Sequence, residues 1–227
     1  RKNISCLTAA EGNSHAVAEH ALGMVLNLFH KINKGHQEIQ NGIWEREKNR
    51  GIELKNKTIA IIGFGNTGSA FSKVLSGLGI KILAYDKYKT NYSFKSNMQE
   101  IFEKADIVSL HLPLTKETHK ICCESFIKKF KKPIYIINTS RGECIETSAL
   151  VDGLISQKIL GVCLDVFEYE KKSFENLKDG SRSKDMCYLI QSNHAILTPH
   201  IAGWSYESHY RIAEILKNKI YDLSKTK

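Results

Sequence analysis

Apolar residues change their rhythm along this chain, and each change marks an element. Between residues 14 and 36, Val17, Ala21, Met24, Val25, Leu28, Phe29 and Ile32 recur at the spacing of an amphipathic helix. Asn13 or Ser14 is placed to cap its start. A polar stretch at 37–57 follows, carrying Gly42, Trp44 and Gly51. Beyond it, short β-branched runs alternate with helical segments. Strands are predicted at 58–62, 80–85, 107–110, 134–137, 160–164 and 195–197. Helical spacing appears at Ala70, Phe71, Val74, Leu75 and Leu78, and again at 124–130 and 147–155. Ser96 and Gln99 form a capping box for a short helix ending at Lys104. The segment 171–192 reads as a polar, low-order loop, and 206–223 as a closing helix. Strands alternating with helices predict an α/β fold, a doubly wound parallel sheet of Rossmann type with helices on both faces.

Composition narrows the picture. With 227 residues, 42% hydrophobic and 25% charged, the chain can bury a core and is neither disordered nor collagen-like. No apolar run approaches the ~20 residues of a membrane span, so no membrane partner is expected. No signal peptide opens the chain, and its first residue is Arg1, so a cytoplasmic protein whose native start lies outside this sequence is expected. Lys and Arg exceed Asp and Glu by 33 to 24, a net charge of +9. Only six of these cations are Arg, and the lysines are scattered, as on a solvated surface rather than a nucleic-acid face. Six Cys form no C-x-x-C pair, which indicates neither a disulfide framework nor a zinc site. Most are expected as reduced core thiols.

Gly63, Gly65 and Gly68 make G-x-G-x-x-G between a predicted strand and helix. The first permits the tight turn, the second lets backbone approach a pyrophosphate, and the third allows close helix–strand packing. Asp86 ends the next strand, 18 residues past Gly68, where its carboxylate is expected to accept from both adenosine ribose hydroxyls. That carboxylate would repel a 2′-phosphate, so NAD is expected over NADP, with Lys87 softening the repulsion.

A nicotinamide cofactor brings the hydride chemistry, and the protein must hold the substrate and handle one proton. Asn138-Thr139-Ser140-Arg141-Gly142 follows a strand, and Arg141 there can grip a carboxylate with two hydrogen bonds. His200, stiffened by Pro199, can exchange a proton with an alcohol or ketone. Asp165, Glu168 and Glu170 follow another strand and include a partner for the imidazole. The other eight His, His15, His20 and His119 among them, are read as structural, and Trp44 and Trp204 as packing groups.

Together these segments resemble the D-isomer-specific 2-hydroxyacid dehydrogenase family, most closely its D-3-phosphoglycerate dehydrogenase branch. The resemblance runs through NSHAVAEHALGM, ELKNKTIAIIGFGNTG, HLPLT at 111–115, INTSRG, LDVFEYE and TPHIAG, in matching order and spacing. It implies that Arg141 binds the substrate carboxylate and polarises the carbonyl, that His200 is the acid/base, and that Glu170 orients and charges it. It implies that Asp165 contacts the nicotinamide carboxamide, and that Leu112, Pro113, Thr139 and Ser140 line that pocket. Asn66 and Thr67 are to donate to the pyrophosphate, and Gly203 is counted with the cofactor site. Two departures stand out: Lys171 replaces the family's Pro after the catalytic Glu, and the loop to Thr198 is long, which leaves Glu168 as the fallback partner.

The resemblance also divides the chain. Residues 1–13 are the tail of a substrate domain lying mostly outside this sequence, 14–203 the NAD-binding domain, and 204–227 a helix returning to the substrate domain. It implies a homodimer, with the helix at 14–36 burying its apolar face at a two-fold axis. The implied activity is oxidation of a D-2-hydroxy acid or reduction of its 2-keto acid, 3-phosphoglycerate of serine biosynthesis being one such substrate. The competing readings are an NAD-binding regulatory or co-repressor scaffold of the same family, and a Rossmann-type methyltransferase. The methyltransferase would not need Arg141, Glu170 and His200.

Overall fold

The computed structural model describes residues 4–170 and 183–225. Six strands form one parallel sheet: β1 (Thr58–Ile62), β2 (Lys81–Tyr85), β3 (Ile107–Leu110), β4 (Ile134–Asn138), β5 (Ile159–Leu164) and β6 (Ala195–Leu197), in the order β2-β1-β3-β4-β5-β6. The chain reverses its direction of winding between β1 and β3, and in open α/β sheets the crevice at the carboxyl end of such a switch point takes the ligand. This is the predicted α/β, doubly wound class.

Period-two alternation sends neighbouring strand residues to opposite faces, and both faces are covered. Ile59 and Ile61 of β1 face α1 (Ser14–His30) and α3 (Asn66–Val74), packing with Met24, Val25, Phe29, Phe71 and Leu75. Ala60 and Ile62 face the other way, onto a core that includes Ile101 of α4 (Met98–Lys104), Phe126 of α5 (Glu124–Ile127), Leu150 and Leu154 of α6 (Thr147–Ile155), and Leu189 of α7 (Lys184–Gln191). Phe102, Phe126 and Phe130 meet edge to face there, with centroids 5.0 to 5.5 Å apart.

Several expectations are corrected. The helix at 14–36 is two helices, because Lys31 takes a left-handed conformation (φ 53°) and α2 (Ile32–Gln40) departs from the core. Residues 32–40 are polar apart from outward Ile32 and Ile39, so no apolar stripe draws them inward. Neither proposed cap acts through its side chain: Asn13 makes no capping bond, and Ser14 Oγ donates back to Glu11 O at 2.8 Å. Ala21, Met24, Val25 and Phe29 of α1 pack inside this chain, on the sheet and α3. For α4 the cap is Asn97, accepting from the Glu100 N–H at 2.9 Å, with Ser96 Oγ donating to Glu100 Oε2 at 2.6 Å. Within the predicted loop 171–192, residues 184–191 form α7, capped by Ser183; Lys171 and the rest to 182 lie outside the described residues. Trp44 and Trp204 are not packing groups, being 78% and 74% exposed. Cys122, Cys144 and Cys163 are core residues, but Cys6, Cys123 and Cys187 are not.

The closing helix α8 (Tyr206–Lys225) lies against the segment before α1. Arg211 Nε donates to Gly12 O at 3.0 Å, and Lys219 Nζ donates to Thr8 O at 2.7 Å and pairs with Glu11. No helix among the described residues is long and apolar enough to cross a membrane.

Candidate active site

The glycine turn closes the carboxyl end of β1. Gly63 sits at φ 92°, and a Cβ there would lie 2.3 Å from the His111 carbonyl oxygen. A Cβ on Gly68 would lie 2.1 Å from Gly63 O, so this glycine lets α3 press onto the turn. Around Gly65 a Cβ would meet nothing within 4 Å. The two outer glycines are thus required by packing and the middle one leaves a cradle open. Asn66 and Thr67 open α3, where backbone N–H groups have no intrahelical partner and the helix carries partial positive charge. This is the environment a pyrophosphate needs.

Asp86 accepts from Phe64 N–H at 2.8 Å, Tyr88 N–H at 2.9 Å and Lys89 N–H at 3.0 Å. Burial pushes its carboxyl up, but these three bonds and the Lys89 charge outweigh it and hold the group below its usual range. A carboxylate offers about four acceptor positions, and these backbone donors take three of them. Lys87 does not soften Asp86: its ammonium donates to Glu117 Oε2 at 2.6 Å, a carboxylate that also receives Tyr88 OH at 3.0 Å.

At the end of β4, buried Asn138 shapes the next turn. Its Oδ1 accepts from Ser140 N–H (3.0 Å) and Oγ (2.7 Å), and its Nδ2 donates to Arg141 O (2.9 Å). Thr139 Oγ1 is buried without a hydrogen-bond partner among the described residues. Such an orphan beside the carboxyl edge suits a cofactor amide better than a finished core. Leu112 stands beside Gly63, and Pro113 O accepts from Thr118 Oγ1 at 2.6 Å. Arg141 is exposed, with Nη1 donating to Ser140 O at 2.6 Å.

The segment after β5 crosses directly over Gly142, where a Cβ would lie 2.0 Å from the Phe167 carbonyl. Its acids then separate in role. Glu168 accepts from Thr147 N–H (3.1 Å) and Oγ1 (2.8 Å) at the start of α6 and pairs with Lys120 at 2.9 Å. Glu170 reaches His200: its Oε2 lies 2.7 Å from Nδ1, and its Oε1 accepts from Phe167 N–H. With Nδ1–H given to Glu170, the neutral imidazole carries its acceptor lone pair on Nε2. The structure therefore pairs His200 with Glu170 and gives the fallback Glu168 to the fold.

Asp165 is drawn inward, 1% exposed, and holds the loop that carries His200. It accepts from Thr198 Oγ1 (2.6 Å), Ile201 N–H (2.8 Å) and Ala202 N–H (2.8 Å), while its carbonyl takes His200 N–H (2.8 Å). Its bonds here are those of a loop anchor. Gly203 admits the Asn13 side chain, whose Nδ2 would lie 2.7 Å from a Cβ. Asn138 and Thr198 are the organising residues the sequence did not single out by role. Polar residues two or three positions from Arg141 and His200 were the available signal.

Residues 22–202 match the family model described as "D-isomer specific 2-hydroxyacid dehydrogenase, NAD binding domain". The chain is 37% identical to glyoxylate reductase of Thermofilum pendens over 88% of its own length and 59% of the relative's. It is 33% identical to hydroxypyruvate reductase of Thermotoga maritima, over 97% of this chain and 70% of that one. The solved NAD complex of a D-isomer specific 2-hydroxyacid dehydrogenase from Lactobacillus delbrueckii ssp. bulgaricus superposes with a TM-score of 0.81 at 29% identity, covering 94% of this chain and 67% of that one. The open cradle at Gly65 and the orphan Thr139 hydroxyl fit the NAD of that solved complex. Both the fold around the switch point and the run of matched residues thus lead to one conclusion: the chain belongs to the D-isomer specific 2-hydroxyacid dehydrogenases and carries their NAD-binding domain.

Proposed function

We propose that the protein interconverts a D-2-hydroxy acid and its 2-keto acid, with His200 as acid/base, Glu170 as its charge partner and Arg141 on the substrate carboxylate. The observation that carries this reading is the 2.7 Å pairing of His200 Nδ1 with Glu170 on the loop anchored by Asp165. NAD, held by the glycine turn, Asp86 and the Thr139 region, supplies the hydride acceptor when bound. In the oxidative direction His200 Nε2 takes the hydroxyl proton, and the Glu170 carboxylate stabilises the imidazolium that forms. In the reductive direction the same imidazolium returns the proton to the carbonyl oxygen. Arg141 fixes the acid by two parallel N–H donors and draws electron density from the adjacent carbonyl.

Glyoxylate and hydroxypyruvate are named for the two relatives above, and 3-phosphoglycerate for two others, at 28% and 31% identity, so the relatives' names support each of the three. A panel of glyoxylate, hydroxypyruvate, pyruvate and 3-phosphohydroxypyruvate, assayed by NADH oxidation with the full-length protein, selects among them. At least one is expected to turn over, and His200→Asn to lower that rate by about a thousandfold. NADH binding without turnover of any would leave the regulatory scaffold as the reading.

Residues 1–13 and 204–227 are proposed to join a substrate domain, supported by the Arg211 and Lys219 contacts that tie them together. A homodimer is also proposed, through Ile32, Ile39, Ile43 and Trp44, which are exposed together beyond the core-facing α1. Light scattering is expected to give twice the chain mass, and a monomer would refute it.

A further inference from the structure

We propose that His20 is a positioning residue for the loop that carries His200. The proposal rests on the dehydrogenase reading for its kinetic consequence, but not for its structural one. His20 lies on α1, 178 residues from Thr198, yet its Nε2 is 3.0 Å from Thr198 Oγ1 and 3.6 Å from Asp165 Oδ1. The side chain is 23% exposed, so the contact is largely shielded from water.

A proton count fixes the direction of this contact. Thr198 Oγ1 has one hydrogen, and at 2.6 Å from Asp165 Oδ1 that hydrogen goes to the carboxylate, which only accepts. The same hydroxyl then presents lone pairs to His20, whose Nε2 must carry a hydrogen. The result is a directed relay, His20 N–H to Thr198 O–H to Asp165, with charge assistance at its far end. Asp165 completes the circuit by taking the N–H groups of Ile201 and Ala202. His200 lies between these two attachments at φ 56°, a conformation a β-carbon disfavours and that the surrounding bonds must impose. Met24 Sδ, 3.8 Å from Thr198 Oγ1, packs the hydroxyl from the same helix. A plain core histidine would have no need of a loop hydroxyl already committed to a carboxylate. Here the imidazole supplies the second bond that keeps Thr198 in register, and with it the turn that aims His200 at Glu170.

The test uses the full-length protein with His20→Leu, His20→Gln and Thr198→Val. Loss of one shielded bond should lower kcat about tenfold in His20→Leu, with KM for the keto acid and NADH affinity within about twofold of the parent. Hydrogen exchange at the Ile201 and Ala202 amides should quicken by about the same tenfold factor. His20→Gln, whose amide can donate to the same hydroxyl, should recover most of both losses. Thr198→Val, which also removes the bond to Asp165, should be at least as impaired as His20→Leu, and the double variant should be no worse than Thr198→Val alone, which keeps the proposal testable if His20→Leu folds poorly. If the parent turns over no keto acid, the functional reading fails and the exchange rates alone decide this one. Parental exchange in His20→Leu, or a Gln variant as impaired as Leu, would overturn the proposal.

Discussion

His111 should make this domain sensitive to mild acid. The residue is buried beside Phe71, ring centroids 5.4 Å apart, with Nε2 2.9 Å from Ser109 Oγ and its backbone carbonyl braced against Gly63. Its Nδ1 has no hydrogen-bond partner among the described residues. Burial disfavours the charged ring and lowers its pKa from 6.5 to about 4. At neutral pH the ring is uncharged folded or unfolded, so it contributes no pH dependence. Below pH 6.5 the unfolded chain takes a proton that the folded chain refuses, and stability falls until the folded value is reached. By about pH 4.5 the loss amounts to about 2.5 kcal/mol, from roughly 1.4 kcal/mol per pH unit rounded off near the folded pKa. Urea unfolding of parent and His111→Gln should therefore diverge: the parent weakens by that amount relative to the variant between neutral pH and about 4.5. The variant cannot charge, and the other histidines cancel in the difference. Stability curves running parallel over this range would refute the reasoning.

The glycine turn should separate folding from binding. Gly65→Ala should leave the melting temperature within a few degrees while weakening NAD by at least about tenfold, whereas Gly68→Ala, driven into Gly63 O, should cost roughly 1–3 kcal/mol in unfolding experiments. Calorimetric titration should show NADP binding at least about tenfold more weakly than NAD, one unfavourable polar contact being ~1.4 kcal/mol, and Asp86→Ala should narrow that gap. Glu170→Gln should shift the pH profile of keto-acid reduction, while Glu168→Gln should leave it in place and lower stability by at most about 1 kcal/mol through the lost charge pairing with Lys120. The Glu168 carboxyl is raised by burial but lowered further by Lys120 and Thr147, so its stabilising share is present above the ordinary carboxylate range and disappears as pH falls through its depressed value.

Periodicity made the sheet legible because each strand carries a run of β-branched or apolar residues bounded by turns, and β1 and β3 match their predicted spans. The glycine turn was legible because strand, glycines and helix follow one another locally. What escaped was decided at single backbone positions or across long separations. Spacing alone does not reveal that Lys31 goes left-handed, since Ile32 still falls on the apolar stripe while standing 58% exposed. The helix at 184–191 was hidden by its polar surroundings, although Met186 and Leu189 are buried at helical spacing. His20 read as structural because Thr198, which gives it a role, is 178 residues away. Asp165 was recognised, but the backbone N–H groups that claim its oxygens carry no side-chain signal.

The first helix and the last strands share one seam, which sets an order of assembly. Leu28 of α1 fills the space over Gly161 of β5, 2.9 Å from where a Cβ would stand, and His20 reaches the segment after β6. Yet α1 also packs with β1 and α3, its nearer neighbours in sequence. Closing the short loop costs less entropy than closing the long one, and contacts of high sequence separation form slowly. A growing chain can therefore seat α1 on β1 and α3 first and shape the glycine turn early. The proton-handling loop comes into register only after β5 and β6 have joined the seam. On this account the dinucleotide cradle is expected to take shape before the acid/base loop, in the order of the chain.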